Sequence, residues 1–247
     1  QLDLLDQKQG LAWDDLTLNI PVPANATSLK VELLSEKENF QWVATGIVLP
    51  KVPPVGNAFS GQATVAKVAY KEYAAVTVAD TGALPSTGGS LDATVNNLAL
   101  SQGVLLTSGT AVAKTVGAGS KSESVASIES LNLFGLGLAV NASVVKSTAK
   151  ASCDAAKNAT VSGTSEIANL VVQGKTILAI TPNLTIPLPL GGVLYINEQI
   201  KTQTAPNIAS ITVNALRLRV PTQLPIHEGL DLLSVTLASS HADIVCR

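Results

Sequence analysis

The sequence has no methionine, and its 247 residues include only two histidines, two cysteines, two tryptophans, three tyrosines and three phenylalanines. Each shortage narrows what the chain can do. The imidazoles His227 and His241 and the thiols Cys153 and Cys246 form no CxxC and no Cys/His cluster, so no metal or other cofactor is expected. Charged residues make up 14% and the net charge is −2, which leaves no basic footprint for nucleic acid and no polybasic membrane contact. No apolar run approaches the ~18 residues of a membrane-spanning helix, so no membrane insertion is expected. Neither phosphate-cradling glycine motif, GxGxxG or GxxxxGK[ST], occurs, and no GxSxG nucleophile elbow. With aromatics at 3%, the core must rest on Val, Leu, Ile and Ala. A chain that starts at Gln1 and holds no Met reads as a processed form from which a signal peptide was removed, hence extracellular or on the cell surface. Simple trimming of the chain is the other reading.

What remains is a chain 46% hydrophobic, whose surface must be mostly Ser, Thr, Asn and Gln. In a secreted protein, Cys153 and Cys246 read as one disulfide. It would close a loop of more than 90 residues, worth about 4–5 kcal/mol in the chain-entropy model. Two buried free thiols are the alternative. Sequons at Asn25, Asn141, Asn158 and Asn183 permit glycosylation, though the abundance of Asn, Ser and Thr accounts for most of them.

Two zones differ in composition. Residues 1–45 hold both tryptophans, Trp13 and Trp42, and ten of the 34 charged residues (16 basic plus 18 acidic). The stretch "LTLNIPV" (16–22) alternates as a strand. Residues 28–46 read as a hairpin with Leu29, Val31 and Leu33 on one side and "SEKEN" as its turn. Beyond the three prolines of "PKVPPVGNAFSG" (50–61), residues 46–247 read as a single domain of strands and turns. In "LGLAVNASVV", Leu138, Val140, Ala142 and Val144 are expected on one face, with Asn141, Ser143 and Val145 on the other. Turns are expected at "STGGS" (86–90), "VGAGSKS" (116–122), "QGK" (173–175) and "LGG" (190–192). Four stretches echo one another: "ATVNNLAL", "ASIESLNL", "TSEIANLVV" and "ITVNALRL". The expected fold is all-β, an antiparallel sandwich with jelly-roll-like spacing.

The segment "YINEQIKTQTAPNIASITVNALRLRV" (195–220) sets Asn197, Glu198 and Gln199 beside Tyr195 and ends in Arg217 and Arg219. It reads as two strands joined by "KTQTAPN". Ile211, Val213 and Ala215 share one face before Leu216, Leu218 and Val220 take over, so a bulge is expected near Ala215 and Leu216. A lone Glu198 is no glycosidase, which needs a second acid such as Glu228 or Asp231 within several ångströms. In "SSHADIVC", His241 and Asp243 share a strand face with Ser239, while Ser240 points away. His241 with Asp243 is a candidate for metal binding or general-base chemistry, and Ser239 would complete a hydrolase triad; a polar strand-end network is the simpler reading. Asp3, Asp6, Asp14 and Asp15 form an acidic cluster that offers oxygen ligands to Ca²⁺ without an EF-hand pattern, and a solvated acidic face explains it more simply.

"LYINEQ", "ITVNALRLRV" and "SSHADIVC", with "NAFSGQA" and "SLDATVNNL" before them, resemble the choice-of-anchor P family of secreted bacterial surface proteins. The resemblance covers about residues 56 to 246. It implies no enzymatic activity, and the family's two-Cys layout is similar to Cys153 with Cys246. The chain stops one residue past Cys246, so an anchoring signal is not expected. The expected function is therefore a non-enzymatic extracellular structural protein whose partner is itself, a subunit of a surface filament or biofilm matrix. Residues 1–45 would supply the inter-subunit strand through Trp13, Leu16, Leu18, Ile20, Leu29, Val31, Leu33, Phe40 and Trp42. The alternative is a monomeric glycan- or protein-binding module that uses the same aromatic side chains.

Overall fold

The computed structural model describes residues 56–71, 73–178, 181–222 and 231–247. The expected interface side chains from Trp13 to Trp42, Asn25, the acidic cluster, His227 and Glu228 lie outside them. Fifteen strands account for most of the described chain: β1 (Gln62–Tyr70), β2 (Val76–Asp80), β3 (Gly89–Val95), β4 (Ala99–Ser101), β5 (Leu105–Thr107), β6 (Ala111–Ala118), β7 (Lys121–Gly135), β8 (Leu138–Cys153), β9 (Ala159–Ala168), β10 (Val171–Val172), β11 (Lys175–Thr176), β12 (Leu184–Pro187), β13 (Val193–Ala205), β14 (Ile208–Pro221) and β15 (Asp231–Val245). They form two antiparallel sheets, the sandwich expected from period-two alternation. One sheet runs β12-β13-β14-β15-β1-β2; the other is built on the long β7–β8 pair. On the outer edge of β7 lie β6 and β5, with β3 beyond β6 and β4 beyond β5. On the outer edge of β8 lie β9 and β10, with β11 beyond β10. Among the described strands the chain passes between sheets twice, from β2 to β3 and from β11 to β12, and most pairings join consecutive strands, the exceptions being β1–β15, β3–β6, β5–β7 and β8–β10.

The turn signals fall where the glycines permit left-handed backbone. Gly119 (φ 58°) sits between β6 and β7, and Gln173 and Gly174 (φ 52° and 74°) between β10 and β11. The segment "KTQTAPN" departs from expectation. Strand β13 runs through it to Ala205, because rungs to β14 continue through Gln203↔Ala209 and, after a register shift, to Ala205↔Ile208, and only Pro206 and Asn207 turn. Polar residues exposed on both faces hid that strand from a hydrophobic pattern.

Both sheets share a second feature: along a line across the strands, the inward-facing phase slips by one residue. In the six-stranded sheet the alternation breaks on each of four neighbouring strands, where consecutive residues are buried: Ile196 and Asn197 with Glu198, Ala215 and Leu216 after Val213 and Asn214, Leu237 and Ala238, Val65 and Ala66. The rungs skip in step, with Asn214↔Ser239 followed by Leu216↔Leu237, and Thr64↔Ser239 by Ala66↔Leu237. Asn197, Ala238 and Ala79 absorb the slip with left-handed φ of 52°, 48° and 45°. The change of buried face expected at Ala215 and Leu216 is present, but the bulge expected to produce it is not: the register to β13 and β15 runs unbroken across it, because the neighbouring strands switch face at the same rung.

In the other sheet the slip places two residues outward instead. Glu129 and Ser130 on β7, Ser143 and Val144 on β8, Asn96 with Asn97 and Ala168 with Asn169 are all exposed. Hence Val145 faces the core and Val144 does not, reversing the expectation for that pair. The four echoing stretches coincide with this device. Each has a β-branched residue, then a spacer, then Asn97, Ser130, Asn169 or Ala215, then a buried Leu. The first three of those pivots have φ of 56°, 54° and 55°.

The core divides into a large cluster around Leu131, Leu133, Ile196, Leu216, Leu218, Leu233 and Leu237 and a smaller one around Phe59, Ile211, Val213, Ile244 and Cys246. Fully buried Thr115, Ser124, Ser147 and Ser240 also face inward. Thr115 and Ser124 hydrogen-bond at 2.7 Å, and a Cβ on Gly61 would stand 2.7 Å from Thr115 Oγ1. The Cys153–Cys246 disulfide, Cα–Cα 5.7 Å, joins the end of β8 to the end of the chain and so ties the two sheets together. Asp154, next to it, accepts from the Asn158 side chain and backbone N–H, which hold its carboxyl below its ordinary value.

Two outcomes follow. Replacing both cysteines by Ser should lower unfolding free energy in urea by about 2–5 kcal/mol, since the closed loop is long; unchanged stability would remove the disulfide from this account. Asn169→Val forces a β-branched residue into left-handed backbone and should cost about 1–2 kcal/mol more than Asn169→Gly. Equal losses would mean the pivot carries no conformational demand.

Candidate functional site

Hairpin β13–β14 brings the polar cluster of the sequence together. Its register sets Tyr195 opposite Arg217 and Glu198 opposite Asn214, with all four side chains on the outward face of the six-stranded sheet. Arg217 lies 4.4 Å over the Tyr195 ring. Its Nε donates to Glu198 Oε2 at 2.7 Å and its Nη2 to Oε1 at 2.5 Å, a two-point carboxylate clamp. Asn214 Nδ2 also donates to Glu198 Oε2 at 2.7 Å, and Ser239 Oγ donates to Asn214 Oδ1 at 2.7 Å. The ladder so crosses three strands. Arg219 forms a second clamp on Asp231 at 2.9 and 3.0 Å, and that carboxylate raises the guanidinium further above its ordinary pKa. Asp231 is therefore not a second acid for Glu198. Both arginines face outward, but ion pairing leaves them half-buried rather than free in solvent.

The trio at the end of β15 shares a face as its alternation requires, yet each member is bonded elsewhere. His241 Nδ1 and Thr212 Oγ1 are 2.9 Å apart. The Asp243 carboxylate accepts from the Ser60 N–H and hydroxyl. Ser239 serves Asn214, and Ser240 is fully buried on the opposite face. No serine–histidine or histidine–carboxylate contact is among these bonds. Among the described residues, no three His, Cys, Asp or Glu side chains gather as a metal site. A depression of about 280 Å³ lies on this face, lined by Gln62, Lys67, Asp80, Asn214 and His241. Gln62 Nε2 donates to Asp80 at 2.8 and 3.0 Å across it.

The other two amides of the cluster turn to the sheet edge. Gln199 Nε2 donates to Asn197 Oδ1 at 3.0 Å and to Gly163 O of β9 at 3.1 Å. Gly163 packs directly against side chains of the facing sheet. A Cβ there would stand 2.4 Å from Val213 Cγ2 and 2.7 Å from Ile211 Cδ1. Beyond Gly163, β9 and the tail of β13 flank a groove of about 380 Å³ lined by Ala159, Val161, Lys201, Gln203 and Ala209. Sequence reasoning missed this groove, because its signal is a strand of polar residues with no apolar period.

Three sequons fall on described residues. Asn158 and Asn183 are exposed in turns, and Asn141 is half-buried on β8 opposite Asn132. Asn183 Oδ1 accepts the Gln199 N–H at 2.7 Å.

Removing Glu198 strands Arg217 and the Asn214 amide in a cleft where the pair retains only 25% and 11% side-chain exposure. Glu198→Ala should therefore cost about 2–3 kcal/mol in urea denaturation, discounted from a fully buried pair for this exposure. Glu198→Gln, which still accepts from Asn214, should cost less. A loss below about 0.5 kcal/mol for Glu198→Ala would show the ladder to be ornamental. Comparison with protein-family models, with curated proteins and with solved structures finds no match for this chain.

Proposed function

We propose that the protein is a non-enzymatic extracellular structural subunit that associates with copies of itself by strand addition, as in a surface filament or matrix. One observation carries the reading. On one side of the sandwich, β9 and the C-terminal half of β13 are sheet edges that no described strand covers. An open edge presents unpaired N–H and C=O groups, and a strand from another chain satisfies them. The polar face supports the same reading from the other direction, since Glu198, Arg217, Asp231, Arg219 and Asp243 are engaged with one another or with backbone and side-chain donors. The disulfide accords with an oxidising compartment. The resemblance to choice-of-anchor P proteins supports the same reading, and the all-β sandwich with its Cys153–Cys246 disulfide accords with it.

A second reading, a monomeric glycan- or protein-binding module, has the polar depression beside His241 and Asp80 in its favour. Size-exclusion chromatography at high concentration separates the two, since the second reading requires a stable monomer. For the first, deletion of residues 16–45 should abolish ordered assemblies in negative-stain electron microscopy. Assemblies that persist unchanged after the deletion would overturn it.

A further inference from the structure

We infer that the acceptor for strand addition is the vacant half of the β12 row beside β13, and that its occupant is residues 16–22 of a neighbouring copy. The choice of a neighbouring copy rests on the assembly reading above; the acceptor rests on the geometry of the edge.

Strand β12 fills its row along Val193–Ile196 only. Asn183 closes that filled half: its N–H donates to Asn197 O at 2.9 Å, and its side-chain oxygen takes the Gln199 N–H. These bonds fix the parity of the strand. Asn197 and Gln199 aim their backbone groups away from β14, so by alternation Lys201 and Gln203 do the same. Among the described residues no strand meets the outward N–H and C=O of Lys201 and Gln203, while Ile200, Thr202 and their neighbours continue to pair with β14. Ile200 is 52% exposed on the outer side of this edge. On the inner side the groove floor is Val161, Ala159 and Ala209, beside the smaller apolar cluster. Facing it, β9 directs Ala159 N–H to Pro206 O and Gly163 O to Gln199, so the groove is closed at both ends and open between.

The occupant follows from length and parity. The vacant row spans residues 199–205, and "LTLNIPV" is a stretch of equal length. Lys201 and Gln203 place their side chains on the groove side. In an antiparallel rung, paired residues share a face, so the residues opposite them must be the apolar set, Leu16, Leu18 and Ile20. Their side chains then enter the groove and cover Val161 and Ala209. Thr17, Asn19 and Pro21 fall on the other parity, with backbone groups on the new outer edge. Pro21 has no N–H to lose there, and it blunts that edge against a further strand. The opposite parity would set Pro21 against the acceptor and polar side chains against the groove floor. The described chain begins near this end of the sandwich: Ala58 bridges Val245, which pairs with Ile208, which pairs with Ala205. Three strand spacings of about 4.8 Å separate Ala58 from the β13 strand, so the same chain can also reach its own row, and the test must tell the two apart.

The test is hydrogen exchange by mass spectrometry on the full-length protein, run alongside particle size. The expected result is assembled particles in which the peptide spanning 199–205, through the outward amides of Lys201 and Gln203, exchanges roughly tenfold or more slowly at those amides than in dispersed protein, and loss of both assembly and protection in a Leu18→Lys/Ile20→Lys variant. Gln203→Pro, which deletes one outward N–H and no hydrogen bond to β14, should weaken assembly while far-UV circular dichroism stays unchanged. Assembled particles with unprotected 199–205 would overturn this acceptor and leave the assembly reading standing. Dispersed monomers with 199–205 protected would mean that the chain fills its own row, overturning the neighbouring donor and the assembly reading together. Dispersed monomers with fast exchange would overturn acceptor and assembly alike.

Discussion

The sandwich depends on a single constraint: when one strand changes the face it buries, every strand paired to it must change at the same rung. A slip in one strand alone would point its remaining apolar residues at solvent. Here the slip is taken together at Asn197, Ala215, Ala238 and Val65, and in the facing sheet at Ser130, Ser143 and Asn169. Left-handed backbone at several of these points costs roughly 1 kcal/mol each for residues with a Cβ. Keeping both halves of long strands such as β7, β8, β14 and β15 on the core offsets it.

That constraint also places the polar groups. Because the phase slips between Ala215 and Leu216, Asn214 and Arg217 both face outward and both reach Glu198, three residues apart where strict alternation would have put one of them in the core. The same slip buries Asn197 next to Ile196 and turns Gln199 toward β9, which fixes the spacing between the two open edges. Crease, ladder and groove are therefore one arrangement. The cluster of Asn197, Glu198 and Gln199 joins β13 to β14 and β9 by hydrogen bonds, beside a row that no described strand fills.

The fold class and the change of buried face in β14 were legible because they rest on the period of Val, Ile and Leu, which burial enforces directly; the bulge expected to produce that change was not found, because β13 and β15 switch face with β14 and the register stays unbroken. Reading Val144 as inward failed because the cause of its reversal lies across the rung at Ser130, and one strand's pattern does not contain its partner's phase. The echo among 93–100, 126–133, 164–172 and 211–218 was visible as repetition, but its meaning required backbone torsions. The tail of β13 was read as a turn because Lys201, Thr202, Gln203 and Thr204 are exposed on both faces; hydrogen bonds to β14, not burial, keep it extended. The partnerships of His241 and Asp243 with Thr212 and Ser60 link positions far apart in sequence, and only the sheet order brings them together.

An account in which an open row beside β13 defines the protein's role stands on whether that row draws chains together. Sedimentation velocity of the full-length protein over a wide concentration range addresses this directly. Species that grow open-endedly with concentration are expected, because a donor and an acceptor on one chain give head-to-tail contacts that do not close. A single 25.3 kDa species at every concentration would contradict it.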